Sequence, residues 1–163
     1  MNFQFYLEKI KASEEYKNFI KENPDAFLCS GFFVVDKNGK DNKTHFDYWA
    51  NGKMFSFQLE GGIQLVPIET INNTLSPEKI SEKIDFNLEE VERMITEKIE
   101  EEMIKNKVQK ILLSLQSKNQ KSFLIGTVFL SMLGILKVNI DISKGKIVLF
   151  EKKSMFDIVR RVK

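Results

Sequence analysis

Ala26–Val35, AFLCSGFFVV, and Ser122–Ser131, SFLIGTVFLS, are the two stretches on which the reading of the fold turns. Each is a run of about ten mostly apolar residues, too rich in Phe and Val to favour helix and too short to cross a bilayer. Each follows a Lys/Glu-rich segment with helical spacing and precedes more strand-like sequence. They read as the first, most buried strands of two related halves. In Ala26–Val35 both alternating sets, Phe27/Cys29/Gly31/Phe33/Val35 and Leu28/Ser30/Phe32/Val34, are largely apolar, which predicts a central strand covered on both faces. Gly31 marks a bulge or a close backbone approach.

Upstream, residues 3–22 read as helix. Phe3, Leu7 and Ile10 share one face, and Tyr16, Phe19 and Ile20 share another about 140° away, so a break is expected near Ala12–Ser13. Ser13 suits an N-cap, Glu14 and Glu15 suit a first turn, and Asn23-Pro24 ends the segment. Downstream, Asn38-Gly39 lies in an exposed loop, and strands are predicted over Thr44–Ala50, Lys53–Glu60 and Ile63–Ile68. Asn51-Gly52 is the clearest hairpin signal, and because Pro67 cannot donate to a ladder the last of these strands either ends there or lies at an edge. Glu69–Phe86, with Asn72-Asn73 and Ser76-Pro77, reads as a linker.

A long helix is predicted from the Asn87 cap, with Glu90 completing a capping box. One apolar stripe is Leu88, Val91, Ile95 and Ile99. A second, Val108, Ile111, Leu112 and Leu115, lies about 135° round, so a break near Glu102–Asn106 is expected before the helix resumes to Leu115. Strands follow over Ser122–Leu130, Ile135–Ile142 and Lys146–Glu151. A short closing helix, Met155–Arg161, is capped by Ser154.

The halves align at a constant offset of 96: Tyr16 with Leu112, Phe19 with Leu115, Phe27-Leu28 with Phe123-Leu124, Phe33 with Phe129. This predicts an α+β protein of two similar helix-plus-antiparallel-meander units, helices on one face. The units span 1–68 and 87–163, the linker 69–86. A helix followed by a meander that wraps it is similar in element order to cystatin-like and PepSY-type units, and the tandem pair is similar to the latexin arrangement. None of the inhibitory motifs of those families stands at a matching position, so no functional residue is implied. NPDAFLCSGFFVVD (Asn23–Asp36) with FDYW (Phe46–Trp49) also resembles a group of small uncharacterised prokaryotic, archaeal proteins, which implies no activity.

The composition fits a folded chain. Forty-two per cent of the 163 residues are hydrophobic, and 14 Phe, 3 Tyr and 1 Trp can fill a core. Net charge is +2 but uneven, since residues 121–163 carry nine Lys/Arg against three acids. The single Cys29 excludes an internal disulfide and fits a reducing, cytoplasmic compartment. MNFQFYLEKIK lacks the apolar core of a secretory signal. Ser122–Leu136 is uncharged, yet as a helix it would reach only about 22 Å of a roughly 30 Å hydrocarbon layer, so no membrane span is expected.

Three functional readings compete. Cys29 as nucleophile, His45 as base and Asp47 as orienter would make a thiol-dependent hydrolase, provided the thiolate reached the imidazole. Against it, Cys29 sits in an apolar strand, where a thiol behaves as a small hydrophobe, while His45 and Asp47 are expected side by side in solvent. A basic end (Lys144, Lys146, Lys152, Lys153, Arg160, Arg161, Lys163) would suit a nucleic-acid partner. The favoured reading is a non-enzymatic binding or assembly module with a protein partner or a second copy. Trp49, Tyr48 and Met54 are its candidate anchors; Trp49 and Met54 share a mixed face with His45, Asp47, Ser56 and Gln58, against which Tyr48 alternates. No cofactor and no metal site is expected.

Overall fold

The structure is a computed structural model, and it describes residues 1–69 and 75–154. It combines three helices with one antiparallel eight-stranded sheet. The helices are α1 (Phe3–Lys11), α2 (Glu14–Glu22) and α3 (Leu88–Glu101). The strands are β1 (Phe27–Asp36), β2 (Lys43–Ala50), β3 (Lys53–Gln58), β4 (Gln64–Ile68), β5 (Val108–Lys118), β6 (Lys121–Leu130), β7 (Gly134–Asp141) and β8 (Lys146–Ser154). Their order across the sheet is β4-β3-β2-β1-β5-β6-β7-β8. The chain is therefore mostly sheet, and the two meanders are not separate: β1 pairs directly with β5, Gly31 opposite Leu115 through Asp36 opposite Lys110.

The helix breaks lie where side chains can satisfy them. Asn2 and Ser13 cap α1 and α2 by accepting from the N–H groups of Phe5 and Tyr16. Asn87 accepts from Glu89 and Glu90 and starts α3. The expected break after α3 is real, but the second half of the predicted long helix is a strand. Residues 108–118 alternate, with Ile111, Leu113 and Leu115 buried and their neighbours partly exposed. This period-two set overrides the helical reading because β1 and β6 supply hydrogen bonds on both sides. Asn119 and Gln120, at φ of 53° and 65°, close the β5–β6 hairpin. They form a two-residue turn of the kind that favours Gly, made here without one.

The offset of 96 is overturned with it. Tyr16 and Phe19 lie on a helix, whereas Leu112 and Leu115 lie on β5. Phe27 opens a central strand against Trp49, while Phe123 lies on the second strand of its meander against Asp141. The bulge in β1 is also displaced from the glycine. Between Leu28, opposite Tyr48, and Ser30, opposite Asp47, Cys29 is the extra residue. The bulge switches phase, so Leu28 joins the side of Gly31 and Phe33.

That side is covered by the helices. Phe3, Leu7 and Ile10 of α1, Phe19 of α2 and Leu88, Val91, Ile95 and Ile99 of α3 share one core with Phe33, Phe46, Phe57, Leu113, Leu124 and Val138. Phe19 packs on Phe55 and Phe57 at centroid distances of 5.2 and 5.3 Å. Gly31 serves close approach: a Cβ there would stand 3.0 Å from the Phe46 ring and 3.4 Å from Leu115 Cβ.

Of the stretch read as a linker, residues 75–86 form a strap on the body of the protein. Ile80 is 0% exposed, and its N–H donates to the Leu28 carbonyl at 2.8 Å. Gln4 Nε2 donates to the carbonyls of Glu82 and Ile84, both at 2.6 Å. Phe86 stacks on Phe3 at 5.4 Å. The predicted closing helix, Met155–Arg161, lies outside the described residues.

Two substitutions check this architecture by urea unfolding. Ile80→Ala empties a filled site and should cost about 2–4 kcal/mol; a cost within measurement error would mean the strap is a loose tether. Gly31→Ala should cost about 1–3 kcal/mol, because Phe46 and Leu115 are both fully buried and cannot yield cheaply.

Candidate functional site on the open face of the sheet

The other face of the sheet carries no helix among the described residues. Side chains alternate across a strand, so register alone places its rows. One row runs Ser56–Asp47–Ser30, and the next Gln58–His45–Phe32–Ser114–Ile125–Asn139–Leu149. Trp49 and Met54, directly opposed, flank the first row on its other side. Phe32 stacks on His45 at 5.1 Å. Ile125, at 40% exposed, and Leu149 are the most open apolar groups of the second row.

Asp47 is where the structure departs most from the expected surface. It is 7% exposed, not solvated beside His45, and Ser56 opposite it is 2% exposed. Ser30 Oγ donates to Asp47 Oδ2 at 2.6 Å, and His45 Nε2 stands 3.8 Å from the same oxygen. Asp47 Oδ1 and Ser56 Oγ have no hydrogen-bond partner among the described residues. A buried polar atom left without a partner costs about 1–3 kcal/mol. The larger side chains around the row account for the burial of its small polar members.

Cys29 is buried in the bulge, and its thiol donates to the Asp47 carbonyl at 3.3 Å. Its pKa is pushed up to about 12, first by burial and then by the Asp47 carboxylate. A thiol so placed stays protonated at neutral pH, and the thiolate is the nucleophilic form. The bulge brings Cys29, Ser30 and Asp47 together, but the environment acts against the thiol chemistry.

The expected anchors separate. Trp49 and Met54 lie on the open face, half-buried. Tyr48 does not: it is 1% exposed beneath α2, with Tyr16 at 5.7 Å and Phe57 at 5.4 Å. Strand alternation puts it opposite in direction to Trp49, so the two cannot share a surface. Lys152 is exposed on β8, and Lys153 lies 3.7 Å from Glu151. Arg160 and Arg161 lie outside the described residues. Sequence reasoning missed Phe32, Ser30 and Ile125 as members of this face. The signal for them is pairing register, which one strand's sequence does not contain.

No helix of the described residues is long and apolar enough to cross a membrane. No protein-family model matches the sequence, and no curated protein matches it. Among solved structures the chain is similar to a candidate lipoprotein from Clostridium difficile 630. The TM-score is 0.56 at 13% identity, over 86% of this chain and 91% of that one. At that identity the likeness is one of fold.

The raised thiol pKa has a direct consequence. Cys29 in the native protein at pH 8 should react with Ellman's reagent at least about a hundredfold more slowly than in the urea-unfolded chain. Comparable rates in the two states would show that the thiol is neither buried nor held protonated.

Proposed function

We propose that this protein is a non-enzymatic binding module that docks a protein partner on the open face of its sheet. In this reading the molecule consists of two helix-plus-meander halves, each contributing four strands to the docking face. The observation that carries the reading is the composition of that face. Half-buried Phe32, Trp49 and Met54 flank a buried polar row with two unmet hydrogen-bonding atoms, and exposed Ile125 extends the face across β6. Aromatic anchors around desolvated polar groups are the usual makeup of an interface centre. The environment of Cys29 supports a binder over a thiol hydrolase.

A photo-crosslinking amino acid at Ile125, compared with one at Glu97 on the exposed side of α3, tests the proposal in the native cell. The Ile125 probe should give a discrete protein adduct that the Glu97 probe does not. Identical patterns at the two positions, or no adduct at Ile125, would remove the reason to place a partner on this face.

A further inference from the structure

A second site lies on the helical side, away from the open face. Where the α1–α2 joint, the start of β1 and the strap meet, the surface encloses a cleft of about 560 Å³. That volume is ordinary for a small-molecule site. Its charged lining is Lys11, Lys79, Lys83 and Glu82, three cations against one anion. Lys11 is already committed to Glu82 at 2.6 Å, which leaves the ammonium groups of Lys79 and Lys83 without an ion pair among the described residues. Tyr16 and Ser81 add hydroxyls to the lining, which Ala26 and Phe27 complete at the start of β1.

The frame of the cleft is fixed before any ligand arrives. Ile80 is sunk in the core between Lys79 and Ser81, and the Glu82 and Ile84 carbonyls are both held by Gln4. Below Tyr16 lies Tyr48, its ring 5.7 Å away and its hydroxyl buried. Burial drives its pKa up, and the next causes are Tyr16 and Glu82, both lining residues of the cleft.

We propose that this cleft binds a small organic anion through a phosphate or carboxylate group. Lys79 and Lys83 supply the charge, and the Ser81 and Tyr16 hydroxyls donate to the anion's oxygens. The Lys11–Glu82 pair holds the strap side of the cleft in place. Charge-assisted hydrogen bonds of this kind are about twice as strong as neutral ones, so the site selects acids over neutral analogues.

Isothermal titration calorimetry with inorganic phosphate and with citrate, at constant ionic strength set by sodium chloride, tests this. The triamine spermidine serves as the cationic control. At least one anion should bind with one-to-one stoichiometry and spermidine should not. The relative affinities of the two anions separate phosphate from carboxylate. The double variant Lys79→Gln/Lys83→Gln should bind at least about tenfold more weakly with an unchanged melting temperature. Both lysines are exposed, so folding is not at stake, and Lys83→Gln alone should give an intermediate loss. Binding of neither anion, or equal binding by the wild type and the folded double variant, would overturn the site. Neither result bears on the open face, which these residues do not touch.

Discussion

The antiparallel pairing of β1 with β5 is the constraint on which the rest of the molecule depends. It joins the two meanders into one sheet and gives β1 a hydrogen-bonded neighbour on each edge. Among the described residues only β4 and β8 are left as edges, and both carry features that discourage further pairing. β4 has five residues and includes Pro67, which cannot donate to a ladder. β8 carries Lys146, Lys152 and Lys153 and has an irregularity opposite Asn139 and Ile140. The central seam requires close packing, and Gly31 permits it by letting the Phe46 ring sit against the β1 backbone.

The strap completes what the seam leaves open. The paired part of β1 begins at Gly31 on the β5 side, so the carbonyl of Leu28, nearer the strand's start, has no partner from β5. The Ile80 N–H occupies it. A few residues earlier, the Glu78 carboxylate accepts from the N–H groups of Asn119 and Gln120, at 3.1 and 3.4 Å, in the β5–β6 turn. Both turn residues have positive φ without being Gly, a conformation costing roughly 1–2 kcal/mol per residue. The carboxylate offsets part of that cost. One irregular segment thus finishes a strand edge, steadies a strained hairpin and forms a wall of the charged cleft.

Much of this was legible from local chemistry. Ser13 and Asn87 act locally, through side chains capping the next turn, and both helix starts fall where they stand. Asn51-Gly52 likewise dictates its own hairpin, with both residues at positive φ. The failures were nonlocal. Val108, Ile111, Leu112 and Leu115 satisfy helical spacing, while Ile111, Leu113 and Leu115 satisfy strand spacing, and the tie is broken only by β1, far away in sequence. No glycine announces the turn at Asn119-Gln120. Sequence alternation on its own strand puts Asp47 in solvent, but Ser30 and Ser56 face it across the ladder and it is buried.

The two faces of the sheet differ in what they can recognise. On the helical side, α1, α2 and the strap confine space and concentrate charge, so a ligand there must be small and its charge must match the lysines. The open face has breadth without enclosure: its aromatic groups lie in rows set by strand register, over distances a small molecule does not span. The unmet hydrogen-bonding atoms at Asp47 and Ser56 sit buried in its row of small polar residues. A partner could reach those atoms only if the side chains over them moved, whereas the frame of the cleft is already hydrogen-bonded.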